Sequence, residues 1–167
     1  MKKMFTMLLL CVVLLVGCST HSEAVPTSEA AQIQMQIANP WKSYDSMDAA
    51  KAASGLDFPL PDLVAEIYAA ETYRVMNGQL MEVVYRNGDD QVIVRMQTGE
   101  DQDISGVYGQ ADSTETTEIG GTTITTTYMG TACIHLIYGN GTSFSLYAPN
   151  GYQGDACSIF LSYICAQ

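Results

Sequence analysis

Apolar and polar residues alternate along most of the chain from about Val64 onward. This period of two is typical of strands that bury one face. Turn-forming dipeptides separate the alternating runs: Asn77-Gly78, Asn87-Gly88, Gly120-Gly121 and Asn140-Gly141. Because such dipeptides between alternating runs are a strong hairpin signal, the pattern predicts an antiparallel meander of six to seven strands.

The run on either side of Asn87-Gly88 predicts a particular strand register. With Asn87 to Asp90 as the loop, one face carries three apolar pairs: Met81 with Met96, Val83 with Val94, and Tyr85 with Val92. The opposite face then places Glu82 beside Arg95, a pair of opposite charges. The same counting from Asn140-Gly141 gives two further pairs: Ile137 with Phe144, and His135 with Leu146.

Two helices are predicted, one towards each end of the alternating region. Asp45 or Ser46 can cap an alanine-rich helix from Met47 to Ser54, which Gly55 would end. A second helix, capped by Asp155, would run to Cys165. Its apolar stripe would pack on the sheet and comprises Ala156, Ile159, Phe160, Tyr163 and Ile164. The prediction is a single α+β domain over residues 39–167, with both helices on one face of the sheet.

The threonine-dense segment from Ser113 to Thr127 differs from the other predicted strands. Only Ile119 and Ile124 are large apolar residues there, and threonine falls on both faces of the hairpin that turns at Gly120-Gly121. A hairpin with so little apolar surface is expected at an exposed edge of the sheet.

The first residues have the layout of a secretory signal. Lys2 and Lys3 precede an apolar run from Met4 to Val16, which is shorter than the roughly 20 residues needed to span a bilayer. The run ends in Leu15-Val16-Gly17-Cys18, which resembles the lipobox of bacterial lipoproteins, where the cysteine is acylated. The sequence therefore predicts a signal peptide over residues 1–17, lipid attachment at Cys18 and a flexible lipidated tether over residues 18–38. The alternatives are an ordinary signal peptide with an incidental cysteine, or an uncleaved anchor.

Charge restricts the partners of such a chain. Removal of Lys2 and Lys3 with the signal would leave five basic and 18 acidic residues, a formal charge of 5 − 18 = −13. A surface this acidic is repelled by nucleic acid and by anionic lipid headgroups. We therefore expect no nucleic-acid partner, and membrane attachment on the extracytoplasmic face through fatty acyl chains such as palmitate.

The sequence offers no recognisable catalytic, cofactor-binding or metal-binding motif. It contains no GxSxG, phosphate-binding glycine loop or zinc-ligand spacing. His135 is the only histidine of the predicted domain. It shares a strand face with Cys133, but a nucleophile pair of these two residues is not expected, because a further metal or general-base partner is missing. Acidic loop residues could offer oxygen ligands to calcium, although solvated loops explain them as well. These residues are Asp89, Asp90, Glu100, Asp101 and Asp103.

The sequence does not determine whether, or how, the three cysteines of the predicted domain pair in disulfides. Cys157 and Cys165 would be separated by about 12 Å along one helix, too far for a disulfide. Cys133 could meet one of them if its strand packs under that helix, which would leave the other free. Alternatively, all three are small buried apolar residues.

Several short segments, taken in order, carry a family resemblance. They are Asn39-Pro40-Trp41, the capped helix with Gly55, Phe58-Pro59-Leu60-Pro61, Leu80 to Tyr85 followed by Val92 to Arg95, and Asp103 to Tyr108. Over residues 39–148 the chain resembles an uncharacterised lipoprotein family of anaerobic Gram-positive bacteria with a domain of unknown function. The resemblance implies a surface-tethered antiparallel domain with helices and no established activity. The three cysteines of the domain depart from that family.

Three functional hypotheses follow. The first is a non-enzymatic extracytoplasmic domain that binds or senses a partner, such as an envelope protein or a glycan, and exposed tyrosines could supply its surface. The second is an envelope hydrolase that uses two of the loop carboxylates. The third is a carrier of a lipid or small molecule, in which the sheet curls around an apolar cavity.

Overall fold

The computed structural model describes residues 39–99 and 102–166. The predicted signal peptide (1–17), the lipidated tether (18–38) and the lipid attachment site at Cys18 lie outside the described residues. The described elements, in chain order, are β1 (Trp41–Tyr44), α1 (Met47–Ser54), β2 (Leu63–Val64), β3 (Tyr68–Met76), β4 (Leu80–Asn87), β5 (Asp90–Thr98), β6 (Ser113–Ile119), β7 (Thr122–Met129), β8 (Ala132–Gly139), β9 (Thr142–Ala148) and α2 (Ala156–Cys165). Neither helix of this part of the chain is long and apolar enough to cross a membrane.

The described strands form one antiparallel sheet, which agrees with the predicted α+β class. Its nine strands exceed the six to seven predicted, because β1 and β2 were missed. These two strands have four and two residues, too few to show an alternation. Both pair with β3. Strand β1 pairs with the second half of β3, from Tyr73 to Met76, and β2 pairs with the first two residues of β3.

The sheet is not the simple meander that was predicted. Its strand order is β1-β3-β4-β5-β9-β8-β7-β6, so β5 pairs with β9 and not with the strand that follows it. Two meanders, β3-β4-β5 and β6-β7-β8-β9, are therefore joined edge to edge. The pairing of β9 with β5 extends the apolar stripe, since Met96 faces Phe144 and Val94 faces Leu146. β6 has no comparable apolar face to offer.

Both hairpin registers derived from the turn dipeptides are confirmed. Met81 pairs with Met96, Glu82 with Arg95, and Tyr85 with Val92. Across the turn at Asn140-Gly141, the remaining predicted pairs are also present: Ile137 with Phe144, and His135 with Leu146. The face that carries Val83 and His135 is called the inner face below, and the face that carries Glu82 and Arg95 the outer face.

Both helices pack on the inner face, as predicted. Ser46 caps α1 by accepting a hydrogen bond from the Ala49 amide at 3.2 Å, and Gly55 ends it in the left-handed conformation at φ 69°. In α2, Ala156, Phe160 and Ile164 are buried in the same core cluster as Met47 and Ala50 of α1. Tyr163 was expected in the buried stripe, but it is 42% exposed and lies at the margin of the helix face.

Strand β6 occupies one end of the sheet, and every residue in it is exposed. This confirms the edge position expected for the threonine-dense segment. Within the described residues, no strand pairs with its outer side. Threonine hydroxyls face each other across β6 and β7, as in the pair Thr116 and Thr125 at 3.3 Å.

Candidate functional site

A cysteine from the sheet and a cysteine from a helix meet at one histidine on the inner face. Cys133 and His135 lie two residues apart on β8, and Cys157 lies in the first turn of α2. The Cys133 Sγ is 3.5 Å from the His135 Nε2, and the Cys157 Sγ is 3.2 Å from the same nitrogen. These three residues are called the thiol–imidazole cluster. Both thiols thus converge on one ring nitrogen.

The second ring nitrogen of His135, Nδ1, also has a hydrogen-bond partner. Thr126 of β7 lies directly across from His135, and its Oγ1 is 2.8 Å from the Nδ1. If Nδ1 carries the proton and donates to Thr126, the Nε2 lone pair faces the two thiols and can accept a hydrogen bond from either. The Tyr152 ring packs against the imidazole, with the ring centroids 5.6 Å apart. The strand pairing and this ring contact together fix the orientation of the imidazole.

Burial keeps the thiol–imidazole cluster uncharged. It raises the pKa of the Cys133 thiol to about 11, with a smaller contribution from Cys157, and it raises the pKa of Cys157 as well. It lowers the pKa of the His135 imidazole below its ordinary value. The resting state near neutral pH is therefore two protonated thiols beside a neutral imidazole. The three cysteines of the domain are free thiols in this structure.

The outer face carries a buried charge bound by two arginines. Glu82 on β4 is fully buried, and its two carboxylate oxygens accept hydrogen bonds from different neighbours. Its Oε1 accepts from the Nε of Arg74 on β3 at 2.7 Å, and its Oε2 accepts from the Nε of Arg95 on β5 at 2.8 Å. This group, called the buried ion network, spans three neighbouring strands. It holds two guanidinium groups on the outer face.

An indole ring and a loop cover the buried ion network. The Trp41 ring lies 5.2 Å from the guanidinium carbon of Arg74 and 5.6 Å from that of Arg95, both within cation–π range. From the other side, the Arg95 Nη1 donates to the carbonyl oxygens of Ile104 and Ser105, at 3.0 and 2.5 Å. The segment between β5 and β6 is thereby held against the outer face.

Gly106 permits this close approach of the loop. Its φ is +64°, in the left-handed region, and a Cβ at this position would collide with the Arg95 guanidinium. The loop also stabilises itself through Asp103, whose Oδ1 accepts a hydrogen bond from the Ser105 amide at 2.9 Å. The close approach at Gly106 and the Asp103–Ser105 hydrogen bond together set the position of the loop relative to Arg95.

A cleft of about 410 Å³ opens beside the buried ion network, within the range of small-ligand sites. Trp41 and Tyr108 contribute aromatic rings to its lining, and Arg95 contributes its guanidinium. The remaining polar side chains of the lining come from Gln97, Gln102 and Asp103. Tyr108 is 90% exposed, which leaves its ring available to a ligand. We call this site the outer cleft.

The acidic loop residues do not form one site. Asp89 and Asp103 are exposed, whereas Asp90 is partly buried and accepts hydrogen bonds from the side chains of Asn150 and Gln153. Glu100 and Asp101 lie outside the described residues. Among residues 39–99 and 102–166, no group of three or more His, Cys, Asp or Glu side chains is arranged to hold a metal ion.

The space between the sheet and α2 is largely filled with side chains. The Phe160 ring packs against those of Tyr68 and Tyr85, with centroids 6.0 and 5.4 Å away. The cavity that does open near Ile164, at the end of α2, has about 240 Å³ and borders Asp57 and Asn140 at its polar side. This volume is below the usual range for small-ligand sites.

The sequence predicted part of this arrangement. The Glu82–Arg95 pair and the shared strand face of Cys133 and His135 followed from hairpin register and alternation. A meeting of Cys133 with Cys157 was one of the open alternatives, because it depends on where α2 packs, whereas the approach of Cys157 to His135 was not predicted. The outer cleft was missed, although Asp103 to Tyr108 had been singled out as a segment. Comparison of the chain with protein-family models, with curated proteins and with solved structures finds no match.

Proposed function

We propose that the chain is a lipid-anchored lipoprotein on the extracytoplasmic face of the cell membrane, and that its domain is a non-enzymatic binding module for a glycan. The lipid would be attached at Cys18, and the glycan would bind in the outer cleft. The anchoring half of this proposal rests on the layout of residues 1–18, and the binding half rests on the geometry of the outer cleft, whose lining begins at Trp41. Each half has its own test.

Tyr108 is the observation that carries the binding half of the proposal. A ring that is 90% exposed gives the fold almost no buried area, yet it lines a cleft together with Arg95, whose guanidinium is held by the fully buried Glu82 carboxylate. Sugar rings present flat C–H faces that pack on aromatic rings, and Trp41 and Tyr108 supply two of these. Binding of a ligand to a preorganised site costs less conformational entropy than binding to a mobile one.

The polar lining of the outer cleft suits hydroxyl groups. Gln97 and Gln102 offer amide donors and acceptors, Asp103 offers a carboxylate, and Arg95 offers planar donors. Planar groups of this kind can bind two neighbouring hydroxyls of a sugar at once. The mixture of one cation, one anion and two amides also matches a neutral ligand better than a strongly charged one.

The two other hypotheses receive less support from the described residues. A carboxylate hydrolase needs two acids in one cleft, whereas Asp89 and Asp103 are exposed and Asp90 is engaged by amide side chains. A lipid carrier needs an apolar cavity, whereas the space under α2 is occupied by Phe160 and its aromatic neighbours.

Replacement of Tyr108 by alanine is expected to weaken glycan binding about 2- to 10-fold, the range given by the loss of one aromatic contact. Binding can be measured as the fraction of purified protein that sediments with insoluble peptidoglycan, and with chito-oligosaccharides by calorimetry. Tyr163→Ala is the matched control, because that partly exposed tyrosine lies on α2 and does not line the outer cleft. Equal binding by wild type and Tyr108→Ala would contradict the proposal.

Replacement of Cys18 by serine is expected to move the protein from the membrane fraction to the soluble fraction. Serine cannot accept the thioether-linked lipid, and stable anchoring requires two acyl chains. Mass spectrometry of the wild-type membrane fraction should find an acylated N-terminal peptide that begins at Cys18. Cys11→Ser is the control, because it changes another cysteine of the apolar run without changing the residue at the proposed cleavage point. If Cys18→Ser kept both the size of the wild-type polypeptide and its membrane association, this half of the proposal would be contradicted.

A further inference from the structure

We propose that Cys133 and Cys157 form a reversible intramolecular disulfide, with His135 as the base that accepts the proton of the attacking thiol. This redox site lies on the inner face, away from the outer cleft. It goes beyond the proposed function and requires neither the lipid anchor nor a glycan. The chemical class of its partner is a disulfide, either a small one or one on another protein.

The position of the two sulfur atoms is the first support. Both lie within hydrogen-bond distance of the same Nε2, at 3.5 and 3.2 Å, although they come from different elements. The packing of α2 on β8 brings them together, and no other two cysteines of the described chain meet in this way. Cys165 lies eight residues further along α2, about 12 Å away along the helix axis.

His135 is placed to take up a proton from either sulfur. In the tautomer in which Nδ1 donates to the Thr126 Oγ1, 2.8 Å away, the lone pair of Nε2 points to the thiols. The ring cannot turn away easily, because Tyr152 packs on it. A neutral imidazole beside a protonated thiol is the resting state that general-base activation of a thiol requires.

Cys157 is the thiol that reacts first. It is partly exposed at the first turn of α2, whereas Cys133 is only 7% exposed and its pKa is raised by burial to about 11. An incoming disulfide can therefore reach Cys157 and not Cys133. Cys133 is then the resolving thiol, which attacks from within the protein.

The chemistry balances in two exchange steps. First, the Cys157 proton moves to Nε2, the thiolate attacks one sulfur of R–S–S–R, and the departing RS⁻ takes the proton back to give RSH. Second, Cys133 loses its proton to Nε2 and attacks the Cys157 sulfur, and the second RS⁻ leaves and is protonated. In sum, two protein thiols and R–S–S–R give one protein disulfide and two RSH. Two electrons pass from the protein to the incoming disulfide.

The test uses the purified full chain with oxidised glutathione as the disulfide. We expect peptide mapping without reductant to find Cys133 joined to Cys157, and dithiothreitol to restore both thiols. Cys133→Ser should stop at a mixed disulfide on Cys157, and Cys157→Ser should form neither product. Cys165→Ser is the matched control and should still form the bond. A dominant bond to Cys165, or no bond under conditions that modify Cys157, would overturn the proposal.

The role of His135 is tested through the rate of disulfide formation. A purely structural role of His135 would not change this rate selectively. His135→Gln should slow formation of the disulfide at least tenfold, in line with the loss of a general base. Thr126→Val is a second variant that keeps the strand and its shape but removes the Nδ1 partner, and we expect it to slow the reaction by less. Unchanged rates in a folded His135→Gln protein, verified by circular dichroism, would refute the assignment of the base.

Discussion

Replacing Glu82 with glutamine lowers the free energy of unfolding by about 3 kcal/mol, the low end of the range for removing one member of a buried ion pair. Glutamine preserves the shape of the side chain but removes the negative charge that Arg74 and Arg95 share. The Arg95 side chain is only 17% exposed and cannot turn fully to water, whereas that of Arg74 is 33% exposed and can do so in part. Urea unfolding measures the change as a lower midpoint at constant slope.

An exposed ion pair on the same sheet provides the matched control. Glu71 and Arg86 form a salt bridge between β3 and β4, and their side chains are 59% and 44% exposed. Glu71→Gln should therefore change the free energy of unfolding by less than about 1 kcal/mol. Equal effects of Glu71→Gln and Glu82→Gln would mean that burial of Glu82 does not determine the stability of the sheet.

Replacing Phe160 with alanine is expected to cost about 3 to 5 kcal/mol of the free energy of unfolding, the usual loss for a buried aromatic residue. Phe160 is fully buried and contacts three tyrosine rings, those of Tyr68, Tyr85 and Tyr152. Its removal would leave a cavity between α2 and the sheet. Thermal and urea unfolding of the variant should report the loss, and helix α2 should exchange its amide hydrogens faster.

Tyr163→Ala on the same helix tests whether the loss reflects burial. Tyr163 is 42% exposed, so its truncation removes an aromatic ring without opening a core cavity. We expect a change of less than about 1 kcal/mol. A large loss from Tyr163→Ala together with a small one from Phe160→Ala would show that α2 does not dock through the face described.

Local features of the fold followed from the sequence because their causes are local. The ends of α1 are set by the Ser46 side chain and by the left-handed Gly55, and both can be recognised within a few residues. The register from Met81 to Met96 is set by a two-residue turn and by side-chain alternation. Strands β1 and β2 escaped prediction because they have only four and two residues, too few to show an alternation of their own.

The order of the sheet and both candidate sites depend on long-range packing. Nothing in the sequence of β5 indicates that it pairs with β9, about 50 residues later, and not with β6, the next strand along the chain. The position of Cys157 at His135 likewise requires the placement of α2 on the sheet. The outer cleft needs the loop that carries Tyr108 to fold back on Arg95, which a linear pattern cannot reveal.

One part of the outer face depends on the length of a turn. The turn after Met76 has three residues, because Met76 pairs with Leu80, whereas the turn of the next hairpin has two. Counting outward from three residues places Arg74 beside Glu82, as the structure has it. A two-residue turn, as in the next hairpin, would instead place Arg74 beside Val83, so the sequence indicated only one of the two arginines that bind Glu82.

The side of β6 that no described strand covers has a consequence for molecules crowded on one surface. An unpaired strand edge can join the edge of a second copy, and chains held in one plane would meet in that orientation often. Glu115 pairs with Thr126 and Glu118 with Thr123, so the strand carries one carboxylate on each of its two sides. Two such edges brought into alignment would set like charges against each other, which disfavours edge-to-edge pairing of neighbouring copies.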